Sequence, residues 1–173
     1  MFNRILRAFR NDVTLYSELK TNPEFTSEAW IVLAISIIAS AVLITLTSIG
    51  DGLSVGIVVG AISASGSVIG YFVLAGLAWF IGTKLARGTG TFTDVRVAVA
   101  YAYCLPAILT SIPVIGIIAS LWLLATESSA IRETLGIGKG LTFIIVMFSI
   151  GVMLVYTLVV SGVVIAALTA GAK

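Results

Sequence analysis

The sequence predicts an all-α polytopic membrane protein. The expected architecture is a bundle of five transmembrane helices, with the N-terminus cytoplasmic and the C-terminus outside, preceded by an amphipathic interfacial helix. The first observation behind this is composition: 59% of the 173 residues are apolar and 10% are charged, whereas soluble domains average about 25% charged residues. A soluble domain of this size has too much surface for its volume to hide so many apolar side chains.

The second observation is a set of long uncharged runs. A helix of about 20 residues crosses the hydrocarbon core of a bilayer. The runs are Ala29–Ile49, Leu53–Gly82, Val97–Ala125 and Leu141–Leu168. The third run contains two prolines and is either one kinked helix or two short helices joined near Ser111. Because proline suits the first turn of a helix, Pro113 is expected to begin a new helix and Pro106 to mark a kink.

The third observation is the placement of positive charge, which favours five helices over four. With five helices, nine of the ten Lys and Arg residues fall on the side of the N-terminus and only Lys173 falls opposite. The nine are Arg4, Arg7, Arg10, Lys20, Lys84, Arg87, Arg96, Arg132 and Lys139. With four helices, Arg132 and Lys139 would cross to the other side. The positive-inside rule therefore places the N-terminal side in the cytoplasm.

We expect a cytoplasmic amphipathic N-terminal segment, residues 1–28, followed by the five-helix transmembrane domain, residues 29–173. Residues 2–16 are predicted to form one helix, because their apolar residues recur at helical spacing while the arginines point the other way. Such a helix lies in the membrane interface, with its arginines near anionic headgroups. It is expected to act as an anchor; the alternative is a curvature sensor or a partner-docking helix. The predicted interface residues are Phe2, Arg4, Ile5, Leu6, Arg7, Phe9 and Arg10.

The fourth helix is expected to continue beyond the bilayer as a cytoplasmic stub with a possible binding surface. Its apolar stripe runs to Leu135, whereas Glu127, Arg132 and Glu133 lie on other faces. Gly136 is a natural C-cap, and Gly88-Thr-Gly90 is expected to terminate the second helix. No charged residue then lies in the middle of a predicted span, which argues against a proton-coupled pump.

Small residues recur every four positions in the predicted spans and indicate close helix packing, since small side chains let helix backbones approach in lipid. The predicted packing residues are Gly52, Gly56, Gly60, Ala64, Gly66, Gly70, Gly162 and Ala166. Internal packing is favoured, with packing between subunits as the alternative. Hydroxyl groups are also frequent, at Ser36, Ser40, Ser63, Ser65, Ser67, Tyr71, Tyr101, Tyr103 and Tyr156. They are expected to bond backbone carbonyls or neighbouring helices; the alternative is a polar substrate cavity.

The sequence lacks the residue types that several kinds of catalytic and metal-binding site require. The sequence has no histidine and a single cysteine, Cys104, so a catalytic triad, a Cys/His zinc site and haem ligation by imidazole are excluded. We therefore predict no catalytic residues, no cofactor, no metal and no enzymatic activity. The net charge of +2 is too small to suggest nucleic acid binding.

The chain resembles the Yip1 domain family of five-helix membrane proteins over nearly its whole length. The resemblance rests on Gly88–Phe92, Tyr101–Pro106, Ile112-Pro113, Leu121-Trp122 and Ala130–Leu141. It implies a cytosolic N-terminal region followed by five spans. Eukaryotic members are linked to vesicle traffic at the Golgi and endoplasmic reticulum and to Rab GTPase partners. Their acidic Asp-Leu-Tyr-Gly-Pro-type motif is reduced here to Leu15-Tyr16, which suggests a prokaryotic member.

The expected function is that of a non-enzymatic scaffold or interaction protein in a prokaryotic cytoplasmic membrane. Its expected partners are membrane lipids and other membrane proteins, or further copies of the chain. Two alternatives remain open: an accessory subunit of a larger, energy-converting membrane complex, and a small transporter or channel.

Overall fold

The computed structural model describes residues 1–22 and 24–171, apart from the side chains of residues 51, 161 and 164–171. These residues form seven α-helices and one 3₁₀ turn, and none of them lies in a strand. The helices are α1 (Phe2–Phe9), α2 (Thr14–Thr21), α3 (Phe25–Thr47), α4 (Leu53–Lys84), α5 (Phe92–Thr110), α6 (Ile115–Leu135) and α7 (Lys139–Gly171), and the 3₁₀ turn is Ile49–Asp51. Five of them, α3 to α7, are long and apolar enough to cross a membrane. The predicted all-α bundle of five spans is confirmed, with the third run divided into two helices.

The N-terminal segment forms two helices where one was predicted. The chain turns between α1 and α2 at Asn11, which adopts a left-handed φ of 57°. Such a φ is favoured by asparagine among non-glycine residues. The side chain of Asp12 then holds the start of α2, because its Oδ1 accepts hydrogen bonds from the backbone N–H (3.1 Å) and hydroxyl (2.6 Å) of Thr14. We call residues 1–22 the N-terminal hairpin; Pro23, the expected helix breaker, lies outside the described residues.

The N-terminal hairpin packs against α5 and α6. Its inward face includes Ile5, Ala8, Leu15, Tyr16 and Leu19, all of which are buried. Much of the apolar stripe seen in the sequence therefore packs against the helical bundle itself. At the outer edge, the indole N–H of Trp122 in α6 donates a hydrogen bond of 2.7 Å to the backbone carbonyl of Phe9.

Helix α5 occupies the centre of the bundle, and every residue from Val95 to Ala102 is buried. Alanine alternates with larger residues there, so α3, α6 and the hairpin approach closely. The helix begins with a capping box, in which the Thr91 hydroxyl and the Asp94 carboxylate each accept a backbone N–H from the other residue. Arg96, predicted in the connection before this helix, instead lies within it, one turn from its start.

Pro106 lies inside α5, and the helix continues through it. Proline has no N–H, so the carbonyl of Ala102 one turn earlier loses its helical donor. The hydroxyl of Thr126 in α6 lies 3.2 Å from that carbonyl oxygen and supplies the hydrogen bond. The same hydroxyl also lies within reach of its own helix at Leu123. A side chain of α6 therefore compensates the gap that the proline leaves in α5.

The connections at the charged end of the bundle are tightly docked. Gly136 ends α6 in the left-handed conformation, with φ 67° and ψ 31°, as expected of a C-cap. The α4–α5 connection contacts this end, since the N–H of Thr89 donates to the carbonyl of Leu135 at 3.1 Å. A Cβ at Gly88 would lie 2.8 Å from the same carbonyl oxygen. Helix α4 ends at Lys84, three residues short of Gly88, so the Gly88–Gly90 segment lies in the connection and does not end the helix as predicted. It permits a backbone contact that the sequence did not indicate.

Candidate functional site

A cleft of about 710 Å³ lies between α4 and α7. Helices α5 and α6 close its inner side through Tyr103, Leu123 and Glu127, and α3 contributes Ile44. Most of the lining is apolar, as is typical of sites that hold small molecules. We refer to this space as the α4–α7 cleft.

Glu127 is the residue that distinguishes the α4–α7 cleft from an apolar packing gap. Its side chain lines the cleft, and the residue is only 7% exposed. Among the described residues, no hydrogen bond or ion pair reaches its carboxyl group. A carboxyl group buried in this way is costly unless it finds a partner. Glu127, expected in a cytoplasmic continuation of the fourth helix, lies within α6, and the whole of α6 is a candidate span by its length and composition.

The hydroxyl groups around the cleft fall into two sets. One set is engaged by the protein: Tyr71 donates to the Arg96 carbonyl (2.8 Å), Ser149 donates to the Ile145 carbonyl (2.9 Å), and Tyr156 lies 3.4 Å from Ser65. The other set comprises Ser63, Ser67 and Tyr103, none of which bonds a backbone carbonyl. Ser67 and Tyr103 interact with each other, and Tyr103 also lies close to Glu127. Ser67 and Tyr103 therefore lie on the same part of the cleft wall as Glu127.

The remaining hydroxyls of the predicted list serve the bundle itself. Ser36 in α3 donates to the carbonyl of Cys104 in α5 at 3.1 Å, and Tyr101 donates to Glu28 at 2.6 Å. Ser40 is buried with no hydrogen-bond partner among the described residues. Both interpretations of the hydroxyls thus apply, each to different members: some bond neighbouring helices and some line a cavity.

Arg96 is a second buried ionisable residue, 6% exposed. Its guanidinium stacks on the ring of Trp30 in α3, 4.2 Å from the ring centroid, in a cation–π contact. Its backbone carbonyl accepts the Tyr71 hydroxyl of α4. Arg96 therefore joins three spans near their charged ends.

A carboxylate at the start of α3, Glu28, fastens α1 to the bundle. Its two oxygens accept hydrogen bonds from the guanidinium of Arg4, one of them at 3.2 Å through Nε, and from the hydroxyl of Tyr101. The Arg4 side chain also lies over the ring of Phe25, at 4.2 Å from its centroid. The hydrogen bond from Arg4 to Glu28 raises the pKa of that guanidinium.

Arg7 forms a separate exposed cluster with two acids of the N-terminal hairpin. It donates to Asp12 at 2.8 Å and to both oxygens of Glu18 at 2.8 and 2.9 Å. Hydrogen bonds from Thr14 and then Arg7 lower the pKa of Asp12. Those from Arg7 lower the pKa of Glu18.

The predicted interface residues are divided by the structure into several environments. Ile5 is buried, whereas Phe2 is 68% exposed. The ring of Phe9 contacts that of Trp122 at 6.1 Å between centroids, and Leu6 is half-buried. Arg10 is exposed and has no ion-pair partner in the described chain.

The predicted packing residues lie in three places. Gly56 and Gly60 face α3, where added Cβ atoms would meet the backbone carbonyls of Thr45 at 2.8 Å and Ala41 at 3.0 Å. Gly66 and Gly70 face α7 more loosely, with Tyr156 and Met153 as their nearest neighbours. A third group has fewer close contacts: Gly52 lies in a turn at φ 117°, Ala64 is half-buried, and a Cβ at Gly162 would meet no atom within 4 Å. The side chain of Ala166 lies outside the described residues.

The comparison with known families agrees with this architecture. The family model for the Yip1 domain matches residues 7–160, which include the second turn of α1 onward and most of α7. The chain therefore belongs to the Yip1 domain family and is an integral membrane protein of that family. No curated protein and no solved structure matches the chain.

Proposed function

We propose that this protein is a non-enzymatic scaffold that organises lipids and partner proteins in a prokaryotic cytoplasmic membrane. In this proposal the charged end of the bundle is cytoplasmic and the opposite end faces outside. The lack of histidine in the whole sequence and the burial of its single cysteine support a role without catalysis. The interaction surface is the charged end, which carries every Lys and Arg residue of the described chain.

The observation that carries the proposal is an imbalance of free charge at this end. Its acids are largely engaged: Glu28, Asp12, Glu18 and Glu133 accept ion pairs, and Asp94 caps α5. Five exposed cations have no ion-pair partner among the described residues, namely Arg10, Lys20, Lys84, Arg87 and Lys139. Of these, Lys20 donates a hydrogen bond of 3.4 Å to the Thr134 carbonyl, and the other four have no hydrogen-bond acceptor in the described chain. A small net charge thus becomes a basic rim around the end of the bundle, and such a rim attracts anionic headgroups and acidic protein surfaces.

The test is retention of anionic lipid by the purified full-length chain. Native mass spectrometry in a mild detergent, after incubation with phosphatidylglycerol and phosphatidylcholine, counts the lipids of each class that remain bound. The wild type is expected to favour phosphatidylglycerol, and the variant R10Q/K84Q/R87Q/K139Q is expected to lose that preference. Glu24→Gln, at an exposed acid without an ion pair, is the matched control. Equal preference in the quadruple variant and the wild type would contradict the proposal.

Point variants are preferable to deletion of residues 1–20 in this test. The deletion would remove Ile5, Ala8, Leu15, Tyr16 and Leu19, which belong to the buried core. A loss of lipid or partner binding after such a deletion would therefore also follow from a damaged bundle.

A small transporter is the second candidate, and the α4–α7 cleft is the observation that favours it. Intramembrane carboxyl groups commonly mark ion and substrate paths, and Glu127 lies in a recess that the hydroxyls of Tyr103 and Ser67 also line. This candidate predicts solute flux in proteoliposomes that Glu127→Gln abolishes. A scaffold predicts no flux in either protein.

A further inference from the structure

We propose that the α4–α7 cleft is a binding site for an amphiphile with a positively charged amine head and an apolar chain. The inference stands apart from the basic rim, because it concerns a different surface and the opposite sign of charge. It rests on the distribution of polar groups along the cleft, on the unpartnered carboxyl group and on the open space beside the glycines of α4.

The carboxyl group of Glu127 determines the chemistry of the head. An ionised carboxylate only accepts hydrogen bonds, and this one is more than nine-tenths buried with no donor reaching it from the described residues. The described lining contains no Lys or Arg that could neutralise it. An ammonium group provides both the missing charge and the missing donors. An anionic head would instead meet a like charge.

Two neighbours of Glu127 extend this acceptor set. Tyr103 and Ser67 line the same end of the cleft and are not bound to backbone carbonyls, unlike Tyr71 and Ser149. Their oxygens are able to accept the further N–H groups of an ammonium, which has three donors when it carries one alkyl chain. The head region is therefore complementary to a primary amine.

The rest of the cleft determines the chemistry of the tail. Helices α4 and α7 run in opposite directions, with Gly70 opposite Met153 and Gly66 opposite Tyr156, so Val59 and Ile62 of α4 lie toward Val160 of α7. Three hydroxyls line this region. Tyr156 and Thr157 are engaged with Ser65 and the Met153 carbonyl, whereas Ser63 makes no hydrogen bond among the described residues. A space of about 710 Å³ lies within the range that holds small ligands. An apolar chain there would bury its surface against a mostly apolar wall.

A substitution at a glycine of α4 is able to fill the part of the cleft that would hold the apolar tail while leaving the polar groups of the head region unchanged. A Cβ at Gly66 would meet only the ring of Tyr156, at an ordinary 3.5 Å, so a larger side chain fits at its base and extends into the cleft. Gly76 lies on the same helix, and a Cβ there would meet nothing within 4 Å. Gly66→Leu and Gly76→Leu thus form a matched pair, of which only the first fills the cleft.

The experiment measures equilibrium binding of three radiolabelled probes that share a dodecyl chain: dodecylamine, dodecanol and dodecanoate. The full chain is reconstituted in phosphatidylcholine nanodiscs at neutral pH, where the amine is charged, and empty nanodiscs give the background. The wild type is expected to bind the amine about tenfold more tightly than the alcohol, as expected for a hydrogen-bonded charge pair. Dodecanoate is expected to bind most weakly.

The variants separate head from tail. Glu127→Gln is expected to bind the amine only as well as the alcohol, while Glu24→Gln keeps the preference. Gly66→Leu is expected to weaken binding of both the amine and the alcohol, and Gly76→Leu to leave it unchanged. Equal binding of amine and alcohol by the wild type would overturn the proposal, as would equal effects of the two leucine substitutions. The comparison of Gly66→Leu with Gly76→Leu tests the proposal even if Glu127→Gln fails to fold.

Discussion

The hydroxyl of Tyr101, halfway along α5, donates a hydrogen bond of 2.6 Å to Oε1 of Glu28 in the first turn of α3. The same carboxylate accepts two hydrogen bonds from Arg4 of α1. One side chain thus joins two spans to the N-terminal hairpin. Because all three groups are half-buried or buried, removal of the carboxylate leaves two donors without a full set of partners.

We expect Glu28→Ala to lower the free energy of unfolding by about 1–3 kcal/mol, the usual cost of leaving partly buried donors unpaired. Thermal unfolding in detergent measures the change. Limited proteolysis at the N-terminal hairpin should become faster in the same variant, since α1 loses its link to α3. Glu24→Ala, at an exposed acid of the same segment, is expected to change neither measurement. A Glu28→Ala protein as stable and as resistant to protease as the wild type would show that the contact is not formed.

The cluster of Arg7, Asp12 and Glu18 predicts a dependence of stability on pH. Both carboxyl groups have a pKa below the ordinary value of about 4. Their ionised forms therefore stabilise the fold above that pH, and this contribution is lost as the pH falls through the lowered pKa values. The effect is small because the groups are exposed and screened by solvent.

The measurement is the difference in unfolding temperature between the wild type and Arg7→Gln at a series of pH values. The wild type is expected to be the more stable at neutral pH, and the difference should shrink as the acids become protonated. Arg10→Gln, at an arginine without an ion-pair partner in the described chain, provides the control and is expected to match the wild type throughout. A constant difference across the series would contradict the assignment of the lowered pKa values to Arg7.

The pairing of Pro106 with Thr126 predicts a coupling between the two positions. Thr126→Val removes the hydroxyl at nearly constant volume and is expected to cost about 1 kcal/mol, because the carbonyl of Ala102 is left without a donor. In a Pro106→Ala background the new backbone N–H supplies the helical bond, so the same substitution should cost less. A double-mutant cycle on chemical unfolding measures the difference. Identical costs in the two backgrounds would mean that Thr126 does not serve the carbonyl opposite the proline.

Close packing of α3 against α4 predicts opposite effects for two glycines of one helix. A Cβ at Gly60 would meet the hydroxyl of Thr45 and would lie 3.0 Å from the carbonyl oxygen of Ala41. Gly60→Ala is therefore expected to destabilise the fold by about 1–3 kcal/mol. Gly76→Ala adds a Cβ in open space and should stabilise the helix by about 0.5–1 kcal/mol. Unfolding temperatures of the two variants in one detergent provide the comparison; a stabilising Gly60→Ala would show that α3 and α4 are further apart.

The spans were predictable from the sequence because they depend on local hydropathy. The left-handed cap at Gly136 followed from the conformational freedom of glycine. Pro113 was expected to begin the next helix, but it lies in the turn before α6, which begins at Ile115. The break in the N-terminal helix was not predicted, since the apolar spacing continues from Ile5 to Tyr16 across the turn. The adjacent Asn11 and Asp12 are the local signal that indicates it.

The α4–α7 cleft could not be derived from the sequence, because residues from five separate helices meet there. Glu127 was assigned to a cytoplasmic stub because it lies two residues after the end of the third uncharged run, Val97–Ala125. A cue to its burial is the surrounding sequence: Thr126, Ser129 and Ala130 are small, and all three are buried beside it. Only the packing of α7 over this face shows that the carboxyl group is enclosed.

The hydrogen bond from Trp122 to the carbonyl of Phe9 spans 113 positions of the chain. At a synthesis rate of roughly 5–20 residues per second, the ribosome needs on the order of 6–20 seconds to make the second partner after the first. For most of that interval the buried side chains of α1 and α2 have neither α5 nor α6 to cover them, and α6 is still incomplete when the interval ends. The first helices to be made are therefore among the last to reach their final contacts, and nascent chains halted before α6 should expose Leu15 and Tyr16 to chemical labelling and to chaperones.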